Sequence, residues 1–134
     1  MLITGVDIIE IDRIRRVALA YGTRFLDRIY TKEERQYCRG RPPQLASRFA
    51  AKEAVMKALG TGIRGVGWKD IEIRRQRGQA PYVELHGRAR LRANQIGLDH
   101  LALSLSHSRD FAVASVIGES KNGNLLPRLS RTKK

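Results

Sequence analysis

One segment, residues 48–62 (RFAAKEAVMKALGTG), admits little other than a buried helix. Ala, Leu, Met, Lys and Glu are strong helix formers, and Gly60 suits the left-handed turn that follows a helix. Phe49, Ala50, Ala51, Ala54, Val55, Ala58 and Leu59 make the segment apolar over most of its circumference, and a helix apolar all round is usually buried. Glu53 and Lys57 nonetheless sit within it, four residues apart and so on one face. A charge in a poorly solvated place is costly unless it is paired or holds a metal. As an exposed pair, Glu53 and Lys57 would be worth only about 0.2–0.5 kcal/mol.

A second carboxylate poses the same problem. Residues 2–11 (LITGVDIIEI) are rich in Ile and Val, as strands are. A strand apolar on both sides is expected to be covered on both faces, yet Asp7 interrupts its middle. One reading is a strand Asp making turn hydrogen bonds. The other is that Asp7 and Glu53 meet, with a cation between them. Two hard carboxylates with positions left for water and phosphate suit Mg²⁺.

The rest of the chain reads as alternating short elements. Helices are predicted over 11–20, 24–29, 32–39 and 44–59, the third opened by a capping box between Thr31 and Glu34. Residues 60–67 hold four glycines and are expected to form a loop. Strands are predicted at 71–74, 82–85, 100–106 and 111–117, with a basic helix over 88–96. Residues 1–119 are read as one domain, and 120–134 as a basic, mobile tail.

The 134 residues carry a net charge of +13, which predicts attraction to an anionic partner. Nucleic acid, an acidic protein and a polyphosphate all fit that charge. A nucleic-acid-binding module accounts for +13 but not for Asp7 or Glu53, and the chain lacks an aromatic-rich binding face, so no nucleic-acid partner is expected. Cys38 is the single cysteine, which excludes an internal disulfide and a cysteine-based metal site. No run of apolar residues is long enough to span a bilayer, so no membrane partner is expected. Asp7, Glu10 and Asp12 come too early for a signal peptide, so a cytoplasmic location is expected.

Gly5-Val6-Asp7-Ile8, residues 49–62 and Ser104-Leu105-Ser106-His107-Ser108 occur in this order and at these separations. In this the chain resembles the holo-(acyl-carrier-protein) synthases, the small bacterial members of the 4′-phosphopantetheinyl transferase family, over about residues 2–119. The resemblance implies an α+β fold, an antiparallel sheet packed against helices in a small single domain, assembled as a homo-oligomer, a trimer, with active sites at subunit boundaries. It implies Mg²⁺-dependent transfer of 4′-phosphopantetheine from coenzyme A to a serine of an acidic acyl carrier protein, releasing adenosine 3′,5′-bisphosphate in support of fatty acid biosynthesis. Asp7 and Glu53 would hold Mg²⁺, Glu53 and Lys57 would be catalytic, and either Glu53 or a metal-held water would serve as base.

The resemblance further implies that Arg48, Lys52, Gly60, Thr61, Gly62 and His107 contact coenzyme A, and that Arg13, Arg24, Phe25 and Arg28 grip the carrier protein. Residues 60–65 also match the spaced glycines of a dinucleotide fingerprint. That reading fails, because the fingerprint opens a helix after a strand and here it closes a helix. The loop glycines are expected to present backbone N–H groups to an anion, and Asp110 is expected to hold His107 in place.

Overall fold

A computed structural model describes residues 1–121, apart from the side chains of residues 63 and 64. The expected tail therefore lies, from residue 122, outside the described residues. The order of elements is β1 (Leu2–Glu10), α1 (Ile11–Tyr21), α2 (Thr23–Ile29), α3 (Lys32–Cys38), α4 (Pro42–Leu59), α5 (Gly62–Gly65), a 3₁₀ turn (Trp68–Asp70), β2 (Ile71–Arg74), β3 (Tyr82–Leu85), α6 (Gly87–Gln95), β4 (Leu98–His107) and β5 (Phe111–Ser120). An antiparallel sheet runs β1-β5-β4, and β2 pairs with β3 in a separate hairpin. This is the expected α+β architecture.

The central helix begins earlier than the sequence suggested, because Pro42 and Pro43 form its first turn. Proline is suited to that position, where its missing N–H would have had no helical partner. The capping box forms as expected: the Thr31 hydroxyl accepts from the Glu34 N–H at 3.1 Å, and the Glu34 carboxylate accepts from the Thr31 N–H at 2.8 Å. The glycine-rich stretch is not all loop, since Gly62–Gly65 makes one helical turn.

Helix α4 lies across one face of the sheet. Ile3, Ile9, Ala112, Ala114 and Val116 meet Ala50, Ala51, Ala54, Val55, Ala58 and Leu59 in a continuous buried core. The small residues set a short distance between helix and sheet, and Gly5 sets the shortest. A β-carbon at Gly5 would stand 1.9 Å from the Ala54 carbonyl oxygen, closer than any real contact. Backbone touches backbone there, which only glycine permits.

The expectation that β1 is covered on both faces is not met within one chain. Ile3, Gly5 and Ile9 are buried under α4, whereas Leu2, Val6 and Ile8 are 60, 58 and 63 % exposed. Ile117 and Phe111 of β5 are also exposed. The apolar character on that second side is real, but among the described residues no element lies on it.

Replacing Gly5 by Ala forces α4 away from β1. Overpacking of this kind costs about 1–3 kcal/mol, and a backbone partner that cannot rotate aside places Gly5→Ala at the upper end. Urea unfolding followed by circular dichroism should show that loss of stability.

Candidate active site

Asp7 shares the side of β1 that carries Ile3, Gly5 and Ile9, so it faces α4. Glu53 precedes Ala54, the residue whose carbonyl abuts Gly5. The close approach of helix to strand thus delivers the two carboxyls to each other, and they share a hydrogen bond. Such a bond needs a proton on one of them. Burial, then the Asp7 hydrogen bond and the Asp7 charge, push Glu53 up from 4.5 to about 7, against the opposing pull of Lys57 and Arg13. The Lys57 ammonium lies 3.0 Å from an Asp7 carboxylate oxygen and 3.0 Å from the Val6 carbonyl. Its partner is therefore Asp7 across the elements, not Glu53 one turn back on its own helix.

Two carboxyls that must share a proton when alone form a donor set that a hard divalent cation satisfies by replacing the proton. The residues present fit such an ion. A different group, Glu72, Glu84 and His86, also brings three candidate ligand atoms within 4.8 Å of one another. Its central member is already engaged: Glu72 accepts from the Thr31 hydroxyl at 2.8 Å and pairs with the His86 ring at 3.0 Å. Burial alone would raise Glu72, but these hydrogen bonds and the Arg74 charge outweigh it and hold the carboxyl below its ordinary value.

The residues expected at coenzyme A divide. Arg48 and His107 line one cavity of about 310 Å³, together with Tyr37, Arg75 and Ser106. Arg48 is 4 % exposed and stacks 4.4 Å above the Tyr37 ring, and two of its guanidinium nitrogens are buried with no hydrogen-bond partner. Tyr37 and Arg75 lie far from the sequence motifs, and no local pattern marks them. His107 is exposed at the end of β4, and Asp110 does not hold it. The Asp110 carbonyl instead accepts from the Ile11 N–H at 2.9 Å, tying the β4–β5 turn to α1. Neither Asp7 nor Glu53 lines this cavity.

Lys52 is a correction. It is wholly buried, ion-paired with Glu34 at 2.9 Å, and donates to the Trp68 and Ile71 carbonyls at 3.0 and 2.6 Å. Burial lowers its pKa while Glu34 opposes the shift. Sharing a helix face with Arg48 turned it inward, so it braces the fold and presents no basic edge to coenzyme A. The glycine loop also differs from expectation. Gly60 and Gly62 have the positive φ foreseen, 75° and 65°. The Gly60 and Thr61 N–H groups, however, bond back to the Met56 carbonyl at 3.0 and 3.2 Å and close α4, leaving neither to face an anion.

Arg24 and Arg28 are exposed on α2, and Arg13 on α1. Phe25, expected with them at the carrier protein, is less open than the arginines. It is half-buried and packs edge-on to Tyr30, with centroids 6.0 Å apart.

Residues 3–119 match the family model described as the 4′-phosphopantetheinyl transferase superfamily. The chain belongs to that superfamily. It is 46 % identical over 125 residues to the holo-[acyl-carrier-protein] synthase of Herpetosiphon aurantiacus, covering 88 % of this chain and 98 % of that one. The fold is similar to the crystal structure of the Neisseria meningitidis holo-[acyl-carrier-protein] synthase, with a TM-score of 0.80 and 36 % identity over 88 % of this chain and 98 % of that chain. It is also similar to the Helicobacter pylori enzyme in complex with coenzyme A, with a TM-score of 0.79 and 31 % identity over 87 and 99 % of the two chains. Membership of the superfamily makes this chain an enzyme, a phosphopantetheinyl transferase. Among the described residues no helix is long and apolar enough to cross a membrane.

The raised Glu53 pKa has a measurable consequence for the metal-free protein. The folded state holds the Glu53 proton up to about pH 7, whereas the unfolded chain releases it near 4.5. The protonated form is the one that favours folding, so this contribution is full below pH 4.5 and is lost as pH rises towards 7. Unfolding midpoints across that range should fall with pH relative to Glu53→Gln, in which the contribution is constant.

Proposed function

We propose that this enzyme transfers 4′-phosphopantetheine from coenzyme A to a serine of apo acyl carrier protein and releases adenosine 3′,5′-bisphosphate. The observation that carries the reading is the meeting of Asp7 and Glu53 beside Lys57 in a member of the superfamily. The Helicobacter pylori relative binds coenzyme A in its crystal structure, which supports coenzyme A as donor.

Asp7 and Glu53 would hold Mg²⁺, which when bound supplies positive charge to the diphosphate as the phosphorus–oxygen bond breaks. Lys57, exposed at its tip and anchored on Asp7, directs a second positive charge at the same place. The carrier serine oxygen forms the new bond to phosphorus, and its proton must leave. Glu53 or a water beside the cation would accept that proton. Arg48, its buried guanidinium only partly engaged, and His107 offer positive and hydrogen-bonding groups to the phosphates of coenzyme A. Gly60, Thr61 and Gly62, at the end of α4, would also contact coenzyme A.

The acidic carrier would dock on Arg13, Arg24 and Arg28, with the edge of Phe25 beneath. That surface explains part of the large positive charge, and charge complementarity of this kind speeds encounter. Copies of the chain would assemble as trimers through the open side of the sheet at Leu2, Val6, Ile8 and Ile117, an apolar surface that suits a partner. Residues 1–119 would form the transferase domain, and the enzyme would act in the cytoplasm in support of fatty acid biosynthesis.

Incubation with coenzyme A, Mg²⁺ and apo carrier protein, followed by intact mass, tests the reading. One phosphopantetheine should be added, and a chelator should stop the addition. Glu53→Ala should lose about a hundredfold or more in rate. Normal modification by Glu53→Ala would refute its assignment. Light scattering on the same preparation should show three copies per particle, and one copy would refute the assembly.

A further inference from the structure

Between α2, α3 and the start of α4 lies a cavity of about 670 Å³ that the proposed transfer does not use. That volume is in the range of small-molecule sites. Leu26 gives it apolar surface, with the buried Tyr30 and Leu45 behind it, while Lys32, Arg35, Arg39 and Lys69 give it charge. Asp27 is the one acid in the lining, and it is already paired with Arg35. Lys32, Arg39 and Lys69 have no carboxylate within ion-pairing distance among the described residues. Three uncompensated cations around one concavity attract an anion.

Arg39 adds a separate observation. With φ 51° and ψ 38° it is the only non-glycine residue with positive φ among those described. That conformation is disfavoured for a residue with a β-carbon, and glycine or asparagine usually fills this position after a helix. Arg39 nonetheless holds that position in the cavity lining, and strain of this kind clusters at ligand sites.

We propose that this cavity binds a small anionic amphiphile, its carboxylate or phosphate head on Lys32, Arg39 and Lys69 and its apolar body against Leu26, over the buried Tyr30 and Leu45. The site is separate from the carboxylate pair and from the Arg48 cavity, so it stands whether or not the transfer reaction is as described above.

Calorimetric titration of the full chain tests this, with octanoate and octyl phosphate as probes, acetate and octylamine as controls, and each run repeated in saturating coenzyme A. At least one probe should bind saturably, with coenzyme A leaving the affinity unchanged. The better probe distinguishes a carboxylate head from a phosphate head. Lys32→Glu with Lys69→Glu should weaken binding about tenfold or more. Arg39→Gly should also weaken binding while the protein folds at least as well, since glycine relieves the left-handed strain. Failure of both probes to saturate, equal binding of octylamine or acetate, displacement by coenzyme A, or unchanged affinity in the variants would each overturn the proposal.

Discussion

The contact of α4 with β1 at Gly5 is the constraint on which the rest of the structure depends. Hydrophobic burial drives the helix onto the sheet, but most residues would keep the two backbones apart. The alanines of α4, the alanines of β5 and the absent side chain at Gly5 remove that spacing. The consequence is electrostatic. Asp7 and Glu53, each tolerable alone near solvent, are forced into one hydrogen bond, and Glu53 keeps its proton to about pH 7. Packing energy is thus converted into a pair of carboxyls poised for a cation.

A second polar structure holds that contact in register from behind. Lys52 crosses from α4 to Glu34 on α3, which also accepts from the Ile73 N–H at 2.7 Å. Thr31 joins this group to Glu72, and Glu72 to His86 on the far side of the hairpin. Every buried member has partners, so the desolvation of a wholly buried ammonium is offset by a carboxylate and two carbonyls. Removing one partner of such a pair is far more damaging than replacing both by apolar groups. The network fixes the rotation of α4 about its axis, and that rotation decides which of its charged residues faces Asp7.

Much of the fold was legible because it is locally encoded. The capping box of α3, the β2–β3 hairpin and the extent of α4 beyond its prolines depend on residues a few positions apart. The pairing of Asp7 with Glu53 was legible for another reason: both are acids in apolar runs, and each needed an explanation. Lys52 and Lys57 look alike in sequence, five residues apart on one helix. Only Glu34, contributed by α3, distinguishes the buried lysine from the exposed one, and no local pattern carries that information. The same holds for Tyr37 and Arg75, which reach the Arg48 cavity from α3 and the end of β2, and for Asp110, whose turn is tied to α1 rather than to His107. The open side of the sheet was legible as apolar, but a sequence does not state whether its own chain or another covers a face.

The central claim is that Asp7 and Glu53 hold one divalent cation between them. Electron paramagnetic resonance with Mn²⁺ in place of Mg²⁺, in the presence of coenzyme A, reads it directly. One Mn²⁺ should bind per chain, and it should be lost in Asp7→Asn and in Glu53→Gln alike, with both variants folded. Undiminished Mn²⁺ binding in either variant would contradict it.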